Sequence, residues 1–172
     1  MNREKAPALK DGDVFTIPLG DGRAAVGQVV SSYTDEPYVL IYDFVAPEEE
    51  IPSLVSEALG SEALFAGLSL TGRFRWGRWQ VLGNRPVDGR KFLPAYKIGW
   101  RVPGDFVVEN FWGTRRRRAT DLEVQILPFR ETRSGAFYEH AMQAHLGLQP
   151  WHEAFDDLRI GDIVTSADLF DD

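Results

Sequence analysis

The sequence predicts an α+β fold, mainly antiparallel β, that opens on an SH3-like β-meander or barrel and carries two to three short helices. Three observations carry this. Three β-rich runs with short connections fill the first 50 residues. A tight-turn signal, "GDGR" at Gly20–Arg23, joins the first two. The best helical pattern comes only late, at "SGAFYEHAMQAHLG", Ser134–Gly147. The 172 residues and 44% hydrophobic content suit one domain with its own core. It divides into a β-meander over residues 1–50, a helix and a second set of strands over 51–112, and a helical segment with a C-terminal strand over 113–172.

The elements follow in order. Asp13-Val14-Phe15-Thr16-Ile17 is rich in β-formers and reads as a strand. Pro18 cannot donate to a ladder and marks its end. Asp21-Gly22 supplies the positive φ of a hairpin turn. The chain returns over Ala25–Val30, where Gly27 predicts a bulge or a close backbone approach. "YVLIYDFVA", Tyr38–Ala46, is nearly all apolar and reads as a central strand covered on both faces.

Ser53 reads as the N-cap of a helix over Leu54–Leu59, closed by Gly60, with Glu57 on its solvent face. A second short helix is expected after Ser61. Leu68, Leu70, Phe74 and Trp76 then share one face of an extended chain. "WQVLG", Ala95–Trp100 and Asp105–Trp112 follow as strands of a second antiparallel sheet or as completion of the first, with a turn at Pro103-Gly104. Thr120 opens the capping-box pattern "TDLE", and Pro128 ends the turns that follow. In the late helix Phe137, Ala141 or Met142, and Leu146 or His145 form a buried stripe, with Gly147 as C-cap. A last strand is expected over Asp162–Thr165.

Composition excludes several chemistries. There is no cysteine, so disulfides, thiolate metal sites and cysteine nucleophiles are absent. The opening "MNREKAPALKDGD" has no apolar run of signal-peptide type, and no segment approaches 18 apolar residues. A cytoplasmic location without a membrane partner is the expectation. No Gly-x-Ser-x-Gly or Walker loop is present, and "GDGRAAVG" lacks dinucleotide-binding spacing. His140 and His145 lie about 140° apart on a helix of 3.6 residues per turn, the wrong spacing for shared metal ligation. Neither catalytic residues nor a cofactor or metal is expected.

Charge is unevenly spread around the net of −7. Residues 1–60 hold 4 basic and 11 acidic side chains, residues 61–118 hold 12 and 4, and residues 119–172 hold 3 and 11. Acidic ends can neutralise a basic middle, or the surface can be sided and steer a charged partner. On the second reading the acidic contact candidates are Asp35, Glu36, Glu48, Glu49, Glu50, Asp156 and Asp157, facing a basic enzyme such as a nuclease. The alternative is a small-ligand or nucleic-acid face. In "RFRWGRWQ", Arg73, Arg75 and Arg78 interleave with Phe74, Trp76 and Trp79, and an extended strand would divide cations from aromatics up to Gly77. The "RRRR" run, Arg115–Arg118, adds to it or is a solvated loop. A pI of about 5.0 and two acidic flanks make nucleic acid a poor partner.

Four stretches carry a family resemblance: "KDGDVFTIPLGDGRAAVGQVV", "VLIYDF", "WQVLGNRPV" and "YEHAMQAHLG". Together they resemble the immunity protein 26 family of bacterial polymorphic-toxin systems. Gly12-Asp13-Val14-Phe15, Ile17-Pro18-Leu19, the Gly27–Val29 return, Trp79 and Gly83 are the most specific positions. Ala24-Ala25-Val26 is plainer than the family's return strand, and Arg115–Arg118 has no counterpart in the pattern. The resemblance implies a non-enzymatic inhibitor that binds a cognate toxin domain made by the same cell. It carries over no catalytic residue, and partner choice is expected in the loops.

Overall fold

The computed structural model describes residues 8–99 and 105–172, which form two compact units. One unit is the chain up to Val87 together with Thr132–Ile160, and the other is Asp88–Glu131 with Gly161–Asp172. Antiparallel sheets dominate both.

The first unit begins with the expected meander. Strands β1 (Asp13–Pro18), β2 (Arg23–Tyr33) and β3 (Glu36–Pro47) pair antiparallel in sequence. Gly20 and Gly22 both take positive φ in the β1–β2 turn, where side chains are strained. A 3₁₀ helix over Glu48–Ser53 leads into helix α1 (Val55–Leu59), and β4 (Ala63–Ser69) pairs with β3. A one-turn helix α2 (Gly72–Arg75) precedes β5 (Val81–Asn84), which pairs with β1. The sheet order β5-β1-β2-β3-β4-β9 is completed by the short parallel strand β9 (Thr132–Arg133). It has two ends, so the meander is present without a closed barrel among the described residues.

Both faces of this sheet are covered. Phe15, Ile17, Ala25, Val29, Ile41 and Phe65 bury against Tyr138, Ala141 and Met142 of helix α4 (Gly135–His145) and against Phe155 and Leu158. Val14, Ala24, Val26 and Ala46 bury on the other face against Ile51, Val55 and Ala58. The alternation of Val14 with Phe15 and of Ala24 with Ala25 is the period-2 geometry of a strand. Gly27 serves in both expected ways. The β2–β3 register shifts between Ala25 and Gly27, and a Cβ at Gly27 would collide with the Phe15 ring and stand 3.0 Å from the Leu40 carbonyl oxygen.

In the second unit β6 (Tyr96–Ile98), β7 (Val107–Glu109) and β8 (Arg116–Arg118) form an antiparallel sheet in that order. Helix α3 (Asp121–Ile126) starts on the expected capping box at Thr120 and Glu123. Helix α5 (Ser166–Phe170) starts on another, at Thr165 and Asp168. Ala95, Val108, Leu127 and Phe170 form the core. Trp100 and the Pro103-Gly104 turn lie outside the described residues.

Four expectations are corrected. Ser53 does not cap α1: its hydroxyl donates to the Glu50 carbonyl within the 3₁₀ helix, and Leu54 holds the cap position. The stretch after Ser61 is strand β4, not a helix, because Phe65, Ala66 and Leu68 complete the sheet beside β3. Asp162–Thr165 makes only a single bridge, Thr165 to Pro94, and Thr165 instead caps α5. Arg73–Arg75 is helical and Trp76 is the helix C-cap, so the stretch is not extended. On a helix residues two apart point in nearly opposite directions, so Phe74 turns into the core against Phe15 and Trp79 while Trp76 turns out. Among the described residues no helix is long and apolar enough to cross a membrane.

Candidate partner-binding surface

The site is built around "RFRWGRWQ". Gly77 ends α2 at φ +69°, with the Gly77 amide donating to the Phe74 carbonyl and the Arg78 amide to the Arg73 carbonyl. These two bonds make a Schellman stop, for which glycine is the favoured residue. The chain turns back sharply and places Arg73, Arg78 and Trp79 on the same side.

There they meet Glu139, from the middle of α4. Its side chain is 3% exposed. One carboxylate oxygen accepts from the Trp79 indole N–H at 3.0 Å and from Arg78 Nε at 2.8 Å. Arg73 reaches both oxygens at 3.3 Å. The bond to Glu139 raises the Arg78 pKa further above its ordinary value. Trp79 is buried and stacks on Phe15, with ring centroids 5.1 Å apart. Arg78 also donates to the Pro18 carbonyl, 3.5 Å away, and so ties the turn to the end of β1.

The five candidate ligand-face residues, Arg73, Arg75, Trp76, Arg78 and Trp79, therefore separate. Arg73, Arg78 and Trp79 are engaged inward by one carboxylate, while Arg75 and Trp76 face solvent. Trp76 is 78% exposed, the highest value among the exposed large hydrophobics of the described residues. Its ring passes near Gly72, where an added Cβ would stand 3.5 Å from it.

The seven acidic candidates also separate. Glu48, Glu49 and Glu50 are exposed together in the first turn of the 3₁₀ helix, and none makes an ion pair among the described residues. Asp35 and Glu36 lie at the other end of the 12-residue strand β3, about 36 Å away at some 3.3 Å per residue. Glu36 accepts from the Thr132 hydroxyl, and Asp157 pairs with Arg133 at 3.1 Å. Asp156 takes Trp151 Nε1 at 3.1 Å and Arg159 at 3.4 Å. Glu48–Glu50 are thus the contiguous carboxylates of the set that make no ion pair among the described residues, and Glu48 stands near enough to Arg78 to favour its charged form.

The arginine run is exposed, its last three residues forming edge strand β8, and three of its members pair within their own unit. Arg115 meets Asp172 at 2.9 Å, Arg116 meets Glu109 at 3.1 Å, and Arg117 holds Glu123 through two nitrogens at 2.7 and 2.9 Å. Arg117 together with the helix cap holds the Glu123 carboxyl down to about 2. Much of the charge segregation is therefore resolved internally, between the basic middle and the acidic final third. His145 contacts Asp43 at 3.1 Å, and His152 Nδ1 accepts from the Ala154 amide. Among the described residues no group of three or more His, Asp or Glu side chains gathers to hold a metal ion.

The immunity protein 26 family model matches residues 10–100, more than half of the chain. The chain belongs to the immunity protein 26 family. Searches of curated proteins and of solved structures return no match. In this family member the matched residues include β1–β5, the α2 turn and Trp79, whereas Glu139 lies beyond them on α4. Glu139 is the residue that sequence reasoning missed. Its signal was a carboxylate between Tyr138 and Ala141, at a position the buried stripe should have kept apolar.

Proposed function

We propose that this chain is a non-enzymatic immunity protein that binds one cognate toxin domain non-covalently and neutralises it in the cytoplasm of the cell that makes both. The family match over residues 10–100 carries this reading. Occlusion of an active site or substrate path asks for a rigid surface rather than for catalytic groups, and a sheet covered on both faces supports rigidity. The acidic contact set Asp35, Glu36, Glu48, Glu49, Glu50, Asp156 and Asp157 is read as partner-facing, with Glu48–Glu50 contributing most. Those three make no ion pair among the described residues, and complementary charge chiefly accelerates association.

The alternative, a nucleic-acid platform on Arg73, Arg75, Trp76, Arg78 and Trp79, has less support. Stacking needs exposed aromatic faces, and Trp79 is buried. Calorimetry of the purified chain against each toxin domain encoded in its genome, at low and high salt, tests the proposal. Salt-sensitive binding to one of them is expected. Tryptophan quenching by a single-stranded oligonucleotide, with no toxin bound, would favour the alternative instead.

A further inference from the structure

We infer that the Arg75–Trp76 turn is the anchor by which this protein docks on its toxin, and that the toxin offers an apolar cleft edged by a carboxylate. The inference rests on the immunity reading and names the contact within it. Three observations converge.

First, Trp76 is 78% exposed, which no core role explains. Tryptophan and arginine are the residue types most enriched among the few positions that dominate binding energy. Second, the turn is held rigidly. Its C-terminus is fixed by the Gly77 stop, and its base by the hydrogen bonds of Arg73, Arg78 and Trp79 to buried Glu139. A turn whose backbone is fixed before binding loses little freedom on binding, which is what an anchor requires. Third, the charge beside the ring is uncommitted. Arg73 and Arg78 share Glu139, but Arg75 is exposed and makes no ion pair among the described residues. An apolar knob with one free guanidinium fits an apolar cleft with a carboxylate at its rim, where arginine can form a forked pair. A nucleic-acid strand fits less well, because one exposed ring and one free cation make no track along a backbone.

The test uses the full chain and the toxin domains of its genome, with affinity read by calorimetry. For the toxin that the unaltered chain binds, Trp76→Ala is expected to weaken affinity at least 20-fold. Trp76→Phe should weaken it less than 5-fold. Arg75→Glu should weaken it at least 10-fold, and Arg75→Lys should restore part of that. Both side chains are exposed, so melting temperatures should stay within about 2 °C of the parent. Binding of Trp76→Ala and Arg75→Glu as tight as the parent would overturn the inference and leave the immunity reading standing. Failure of the unaltered chain to bind any of the toxins would overturn both.

Discussion

Replacing Glu139 by Gln should destabilise the first unit by about 3 kcal/mol. The carboxylate is buried and holds two guanidiniums and an indole N–H. Breaking a buried ion pair by removing one partner costs roughly 3–5 kcal/mol, because the remaining charge is left uncompensated. Here the side chains of Arg73 and Arg78 are 24% and 38% exposed, so water recovers part of their solvation and the lower end applies. Gln keeps an oxygen for the Trp79 N–H, whereas Ala leaves that donor buried and unpaired, adding about 1–3 kcal/mol. Urea unfolding followed by tryptophan fluorescence reads the difference. With a slope of about 1.5 kcal/mol/M, the Gln variant should shift the midpoint by roughly 2 M. A cycle with Arg78→Gln should show coupling above about 1 kcal/mol. A Glu139→Gln variant that loses less than about 1 kcal/mol would refute the view that this carboxylate organises the turn.

Three further expectations concern separate features. Gly27→Ala should cost about 3 kcal/mol or more by urea unfolding, because the new Cβ meets the Phe15 ring inside a packed core, whereas Gly22→Ala, where no atom stands within 4 Å, should cost less and only through its φ of +86°. The Glu123 carboxyl sits at about 2 in the folded chain, below the ordinary value near 4.3, so its stabilisation is complete above about pH 4.3 and is lost as pH falls toward 2. Glu123→Gln should therefore lower stability at pH 7 and flatten the acid limb of a stability–pH curve over that window. Changing Glu48, Glu49 and Glu50 together to Lys should cut the toxin association rate roughly 10-fold at low salt, read by stopped flow, and lower stability by about 1–2 kcal/mol, because all three sit in the first turn of the 3₁₀ helix and Glu48 favours the Arg78 charge.

The β elements were legible where local chemistry and tertiary packing agree. Asp21-Gly22 is a turn in any context, and the apolar run Tyr38–Ala46 had to be a covered strand. Thr120 and Gly147 marked helix ends because caps are local hydrogen-bond problems. Arg73–Trp76 misled because four residues cannot separate a period of 2 from one of 3.6. The deciding residue was Gly77, which reads as an interruption in a strand and as a terminator after a helical turn. Ser53 misled because a serine hydroxyl can equally bond back within a 3₁₀ turn. The site was half legible. The cation–aromatic motif stood out, but which members face inward depends on Glu139, 60 residues further on from Trp79. The acidic candidates stood out by type, and only the length of β3 shows that they lie at two ends of one sheet.

Growth rescue tests the central claim most directly. Each toxin domain encoded in the source genome would be expressed in a sensitive host with and without this chain. Full rescue from one toxin, and from no unrelated one, is the outcome that the immunity reading requires. Killing by every toxin at undiminished strength, with the chain present in soluble form, would contradict it.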